Sequence, residues 1–314
     1  TSAALTQWKR QDDLRFLSEV SSVPLQQCLR HLQRAFANFF DKKAGYPRFK
    51  SRKKSRLGLE YSKSGFRFKD GELHVARLSE PLNVVWSRDF DRDIVSTVTI
   101  TRDRAGRWFV SCLGEAVVER RRLTGNTVGV DLGVKDTIVL STGQKLSPRD
   151  DRDMKKKQAK VVKYQRRLSK KKVGSNNFAK AKTKLSKAHA EVADARRDWV
   201  HKTTTKLVRD FDVVCIEDLN VRGMTRSVRG KGRKAKAGLN REISNQSFAE
   251  IRRCLEYKAK DSGGEVVAVD RFFPSSKTCS SCGRLNNTLT LKQRFWTCPQ
   301  CHEHHDRDVN AAKN

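Results

Sequence analysis

Three acids and two cysteine pairs are the residues of this chain whose types and spacing could carry chemistry. Asp131 closes the apolar run Thr127-Val-Gly-Val-Asp131 and is followed by Leu-Gly133, a turn into the next expected strand, Asp136 to Leu140. Glu217 ends Val213-Val-Cys-Ile-Glu217, with Asp218 beside it. Asp308 stands in His305-Asp-Arg-Asp308-Val-Asn-Ala-Ala, whose small residues suit a tightly packed helix start. A carboxylate at the end of an apolar strand is costly unless it is paired or holds a cation. The three acids lie far apart in sequence, so only tertiary structure can gather them, as a site for two divalent cations requires. At such a site one cation lowers the pKa of an attacking water and the other stabilises the leaving oxygen, so phosphodiester hydrolysis needs no side-chain nucleophile.

The cysteines give the more specific signal. Cys279-Ser-Ser-Cys282 and Cys298-Pro-Gln-Cys301 are separated by 15 residues, a spacing that suits a four-thiolate Zn²⁺ ribbon. A closed tetrahedral site leaves no position for a substrate, so the zinc is expected to be structural and to stabilise a segment with little apolar core of its own. His302, His304 and His305 crowd the second pair as competing ligands, although four thiolates already suffice. Cys28, Cys112, Cys215 and Cys254 sit among apolar neighbours and are expected to be small core residues. Taken singly, the acids admit other readings. Gly-Val-Asp-Leu-Gly also begins strands in sugar-kinase and chaperone-type ATPases, but the further glycine-rich phosphate loops such proteins need are missing here. Glu217 by itself reads also as a surface acid at a strand end.

Composition points the same way. Lys and Arg outnumber Asp and Glu 67 to 35, and a net charge of +32 exceeds what solubility requires. It matches a chain that neutralises many phosphates, with loose polyanion binding as the alternative. No apolar run approaches the ~20 residues that cross a bilayer, and no signal-peptide pattern opens the chain, so the expected place is intracellular, with no membrane partner. Hydrophobic residues at 37% still allow two or three modest cores. The chain opens on Thr1 and stops at Asn314 inside an apparent helix, as a fragment of a longer protein does.

The elements that must position these residues are legible in outline. Leu25, Leu29, Leu32, Phe36 and Phe39 predict an amphipathic helix over 24–40. The basic stretch after it, which includes Arg48, Lys50, Arg52, Lys53 and Lys54 with Tyr46 and Phe49, is either a nucleic-acid contact or a solvated linker. Over 58–118 alternation predicts hairpins, one turning at Asp70-Gly71 and one between Ile94–Thr101 and Trp108–Leu113, which form a small antiparallel barrel or curled sheet. Residues 152–210 read as two long helices broken near Gly174–Asn177, with a seam of Leu185, Ala188, Val192, Ala195 and Trp199. Their cations either grip a duplex or form a solvated face. Val221–Arg241 is rich in Gly, Lys and Arg, which predicts a mobile loop.

The succession Gly-Val-Asp131-Leu-Gly, Ile-Glu217-Asp-Leu, Pro-Ser-Ser-Lys-Thr-Cys279-Ser-Ser-Cys282-Gly, Cys298-Pro-Gln-Cys301 and Asp306-Arg-Asp308-Val-Asn-Ala-Ala closely resembles TnpB (OrfB), the transposon-encoded family related to type V CRISPR effectors. The match runs from about residue 125 to the end, in family order, and Leu25–Phe40 with Tyr46-Pro-Arg-Phe-Lys also resembles the family's N-terminal region. The resemblance implies an α/β plus β protein: an N-terminal helical and basic segment (1–57), a wedge-like antiparallel β-barrel (58–124), and an RNase H-like RuvC domain (125–275) carrying a helical hairpin (152–210). A zinc ribbon (276–305) and a final RuvC motif (306–314) complete it. It further implies a guide RNA from the transposon end, cleavage of a double-stranded DNA target beside a short adjacent motif, Mg²⁺ or Mn²⁺ as cofactor, and a cytoplasmic, nucleoid-associated place in a prokaryote. Carried over residue by residue, Asp131, Glu217 and Asp308 are the metal-holding triad, Asp306 being set aside because Asp308 directly precedes Val-Asn-Ala-Ala. Arg307, with the basic residues after the first helix, becomes a candidate nucleic-acid contact. A regulator or transposition accessory that binds DNA without cutting is the rival, and relatives of that kind are expected to lack one or more of the acids. One departure stands out: family members usually begin with some tens of residues, including the first barrel strand, that have no counterpart here.

Overall fold

A short helix, α1 (Ser2–Trp8), and a 3₁₀ turn (Asp12–Ser18) lead into α2 (Ser22–Phe40). Ser21 caps α2 by accepting from the Val23 N–H at 3.3 Å, so the helix starts two residues before the expected position. The computed structural model describes residues 2–51, 55, 57–148, 152–228, 230, 232–290 and 292–314. Within it the chain divides into two units, Thr1–Val117 and Val118–Asn314. No helix among the described residues is long and apolar enough to cross a membrane.

In the first unit, β1 (Leu57–Ser62), β4 (Val95–Arg102) and β5 (Trp108–Gly114) form one antiparallel sheet, while β2 (Phe66–Lys69) and β3 (Glu72–Val75) form a separate hairpin. Both predicted hairpins are present, and Asp70 and Gly71 take the positive φ that the tight turn requires. The strands do not close into one barrel, however, because among the described residues no ladder joins the hairpin to the three-stranded sheet. What holds them together is side-chain packing: Tyr61, Leu73, Val75, Val95 and Val98 are buried, with Phe68, Trp86 and Phe90 stacked against them. The apolar stripe of α2 is also less covered than its periodicity suggested. Pro24 and Gln27 are the buried residues of that helix, Leu32 is half exposed, and Cys28 faces solvent instead of a core.

The second unit is built on a five-stranded mixed sheet in the order β10-β9-β6-β7-β8. Its strands are β6 (Thr127–Asp131), β7 (Ile138–Leu140), β8 (Lys145–Leu146), β9 (Val213–Glu217) and β10 (Glu265–Val269). β6, β7 and β8 run antiparallel in succession, whereas β9 and β10 run parallel to β6. Val128, Val130, Val214 and Ile216 bury one face of β6 and β9, the residues between them are partly buried, and β7 is buried throughout. Between β8 and β9 stand α3 (Arg152–Ser169) and α4 (Asn176–Asp210), clasped by Lys160 and Glu191 at 2.8 Å. Ser175 ends the break by capping α4. Ala188 and Val192 of the expected seam are buried, and further along Val200, Leu207 and Val208 dock α4 onto the sheet.

Much of the described part of the segment predicted to be a mobile loop is helical instead. It contains α5 (Val221–Met224) and the start of α6 (Arg233–Gln246), before α7 (Phe248–Ser262). Its composition misleads because few but well-placed contacts hold it. Val221 and Met224 pack on the sheet core, Asn220 caps α5, and Asn240 Nδ2 donates to the Thr225 carbonyl at 2.7 Å. Arg229 and Lys231 of this segment lie outside the described residues.

The last elements are β11 (Phe295–Thr297), β12 (His304–Asp306) and α8 (Arg307–Lys313). Helix α8 lies so close to β6 that a Cβ on Gly129 would sit 1.7 Å from the Ala312 carbonyl oxygen. Buried Asn310 ties the same helix to the cysteine segment: its amide donates to the Ser275 and Thr278 carbonyls, and its oxygen accepts from the Ser280 N–H. Two outcomes follow. Gly129→Ala should push α8 off the sheet and cost about 3 kcal/mol or more, which a thermal or denaturant melt would measure. Asn310→Ala should cost about 3 kcal/mol by leaving buried backbone groups without their bonds, and an unchanged melt would show that α8 is anchored elsewhere.

Candidate functional site

Two strand ends and one helix start meet at one edge of the large sheet. Asp131 is the last residue of β6 and Glu217 the last of β9; since Val130 pairs with Ile216 in the parallel ladder, the two acids leave the sheet side by side. They line one cleft together with Asp270, Phe273 and the α8 residues Ala311 and Ala312. Asp308, in the first turn of α8, is near enough for its charge to act on Asp131. The three carboxylates do not all lie within 4.8 Å of one another.

Electrostatics sharpen this picture. Burial, followed by the negative charges of Asp308 and Glu217, pushes the Asp131 carboxyl up to about 7, with Arg307 and Arg294 opposing. Glu217 is raised as well, by burial and then by Asp218. Such a cluster is stabilised by added positive charge, so the donor set, all oxygen, fits hard divalent cations.

The acids next to the three are engaged in structure instead. Asp306 caps α8, accepting from the Asp308 N–H at 3.0 Å and the Val309 N–H at 3.3 Å, and it pairs with Lys145 at 2.6 Å. Although burial works against it, those partners hold its carboxyl below the usual range. As the cap of α8 it helps to aim Asp308. Asp218 is held down by Arg252, at 2.5 Å, and by Arg271, so it braces the end of β9 against α7 and the loop after β10.

Sequence reasoning missed Arg294. It precedes β11, and its Nη1 donates to both carboxylate oxygens of Asp308 at 3.2 Å. Nothing in its residue type or spacing separates it from the other cations of this basic chain. Arg307 also pairs with Asp308, at 3.7 Å, and its side chain is largely buried, so it belongs to the acid cluster more than to an outer surface. Arg48 and Lys50 are exposed in the first unit. Arg52, Lys53 and Lys54 lie outside the described residues.

The cysteines converge as their spacing predicts. Sγ atoms of Cys279, Cys282, Cys298 and Cys301 all lie within 4.8 Å of one another, with Cys279–Cys301 and Cys282–Cys298 each at 3.6 Å. Tetrahedral coordination with metal–sulfur bonds of about 2.3 Å places sulfurs roughly 3.8 Å apart, so the arrangement fits one ion. Backbone N–H groups of Cys301 and Gln300 pull the Cys298 thiol down to about 6, favouring the thiolate. His305 stands behind this site with Nε2 3.0 Å from Cys279 Sγ, and the exposed His304 bonds to Thr297. A second group, His201, Glu250 and Cys254, also comes within 4.8 Å. Arg253 already occupies both Glu250 oxygens, and Lys258 spans to His201 and Thr204, so this group is an ion-paired contact between α4 and α7.

Comparison with known proteins places these features in company. The family model described as "OrfB_IS605: Probable transposase" matches residues 102–228, and "Cas12f1-like, TNB domain" matches 248–314. A Streptomyces pristinaespiralis protein named "Putative RNA-guided DNA endonuclease" is 48% identical over the whole chain, which spans 75% of that protein. The Escherichia coli K12 relative InsQ, similarly named, is 35% identical over 99% of the chain and 77% of its own length. Among solved structures, a Cas12f1–sgRNA–target DNA complex matches 88% of the chain and 67% of its own with a TM-score of 0.51 at 18% identity, a likeness of fold.

Proposed function

The chain belongs to the OrfB/TnpB family of transposon-encoded, RNA-guided DNA endonucleases, and from that premise we propose that Asp131, Glu217 and Asp308 form the metal-holding centre with which it hydrolyses DNA. The observation that carries this reading is their meeting at one sheet edge, where crowding and burial drive Asp131 to about 7. The strand order, three antiparallel strands followed by two parallel ones, supports an RNase H-like RuvC core.

In this reading Asp131 and Glu217 are fixed by the β6–β9 ladder, and Asp308 is fixed by the Asp306 cap. Divalent cations bound there, Mg²⁺ or Mn²⁺, supply a water of lowered pKa and neutralise charge on the leaving oxygen. Arg294 and Arg307 add positive charge beside Asp308, where a DNA phosphate would lie. Zinc is the ion assigned to the four cysteines. The ribbon thereby carries Arg294 to the acids, so its role in cutting is positional. A guide RNA from the transposon end and a double-stranded DNA target are the assigned partners, the former supplying sequence recognition. The ribbon is assigned to 276–305 and the final nuclease motif to 306–314.

Plasmid cleavage by the protein co-expressed with a transposon-end RNA tests the centre. Cutting should need RNA and Mg²⁺ and stop with EDTA; Asp131→Ala should lower its rate at least ~100-fold while DNA binding stays near wild type. Full cleavage by that variant would sink the triad, and RNA-dependent binding without cutting by the wild type would favour a regulator. Cys282→Ser should release zinc and lower the melting temperature; metal analysis finding unchanged zinc would refute the four-thiolate site.

A further inference from the structure

The loop that leaves β10 beside the acid cleft presents one side chain that the proposed chemistry does not use. Phe272 is 85% exposed, although it stands between Arg271, which pairs with Asp218, and Phe273, which lines the cleft. An exposed aromatic ring on a free loop would carry little meaning, but this loop is tied at each step. Asp270 accepts from the Phe272 N–H at 2.7 Å, the Asp270 carbonyl accepts from the Phe273 N–H at 3.1 Å, and the Phe273 carbonyl accepts from the Ser275 N–H at 2.8 Å. Ser275 and Thr278 are in turn fixed by Asn310. The ring is thus held outward on a fixed base.

Its place relative to the acids follows from register. Val269 pairs with Glu217, and Phe272 is three residues further on, a span of at most about 11 Å. Stacked nucleotides advance by roughly 3.4 Å each along a strand. With the ~4.8 Å between paired strands added, a strand with its phosphate at the acid centre therefore passes Phe272 within about five nucleotides. Beside the acids Arg294 and Arg307 place positive charge against Asp308, whereas Phe272 offers a bare π-face. Cations with an aromatic platform are what an unpaired strand requires, since each base has a face to stack and the sugar–phosphate chain has charge to neutralise.

We propose that Phe272 is a stacking platform for an unpaired base of the DNA strand being cut, which positions that strand's phosphate at Asp131, Glu217 and Asp308. This rests on the nuclease reading for the identity of the strand, but the platform itself is measurable without cleavage. Because the ring is exposed, Phe272→Ala should fold like the wild type, which a melt confirms.

The test uses guide-complementary single-stranded DNA oligonucleotides carrying 2-aminopurine at successive positions, bound in Ca²⁺ to the full chain loaded with its transposon-end RNA, together with steady-state cleavage by the same complex in Mg²⁺. With the wild type, fluorescence should be quenched at one position within about five nucleotides of the cut. F272A should lose that quenching and raise KM about 10-fold with kcat little changed, and F272W should restore both. Wild-type quenching in F272A, equal impairment of F272A and F272W, or quenching confined to an RNA oligonucleotide would each overturn the platform. Quenching that depends on Phe272 in a protein that never cuts would keep the platform and overturn the nuclease reading instead.

Discussion

Everything in the second unit answers to one electrostatic constraint: carboxylates of like charge must be held together at the end of two neighbouring parallel strands. Burial and the neighbouring negative charges push the Asp131 carboxyl up to about 7, so the cost of this crowding falls mainly on Asp131. The fold resists relaxation by other means. The β6–β9 ladder fixes two of the acids, the close approach of α8 to Gly129 fixes the third, and Asp306 and Asp218 are spent on neighbouring cations and backbone donors. Rigid positioning of groups that would otherwise separate is what allows cations to be gripped without reorganisation.

The cysteine segment belongs to the same arrangement. Among the described residues its core is Cys279, Leu289, Trp296 and Cys298, small enough that an ion held by the four cysteines would take the place of burial. Its outer strand brings Arg294 to Asp308, and Asn310 bonds the segment to α8. The cysteine cluster and the acid cluster are therefore joined through one short helix, and a disturbance of either has a direct mechanical route to the other.

What could be read from sequence divides along physical lines. Asp131 and Glu217 were legible because apolar runs ending in an acid are locally inconsistent unless something compensates, and the cysteine pairs because ligand spacing is a local property. Arg294 and Gly129 were not, since their importance lies in which distant backbone or carboxylate they meet. The same holds for Val221–Arg241, where composition favoured disorder and two apolar anchors with two asparagine bonds prevailed. In the first unit the hairpins followed from alternation and turn residues, but whether strands close into a barrel depends on ladders between distant segments, which periodicity does not encode.

The helical hairpin has a kinetic meaning as well. The chain leaves the sheet at Leu146 and rejoins it at Val213, and the central pairing of β6 with β9 must wait for that excursion to close. A flexible excursion of this length would make the pairing slow, because closure entropy is lost before any contact is gained. Helices α3 and α4 form from neighbouring residues and fold back on each other, and α4 ends where β9 begins. They work as a strut that delivers the second strand to the first, converting a search across the whole domain into the docking of two preformed pieces.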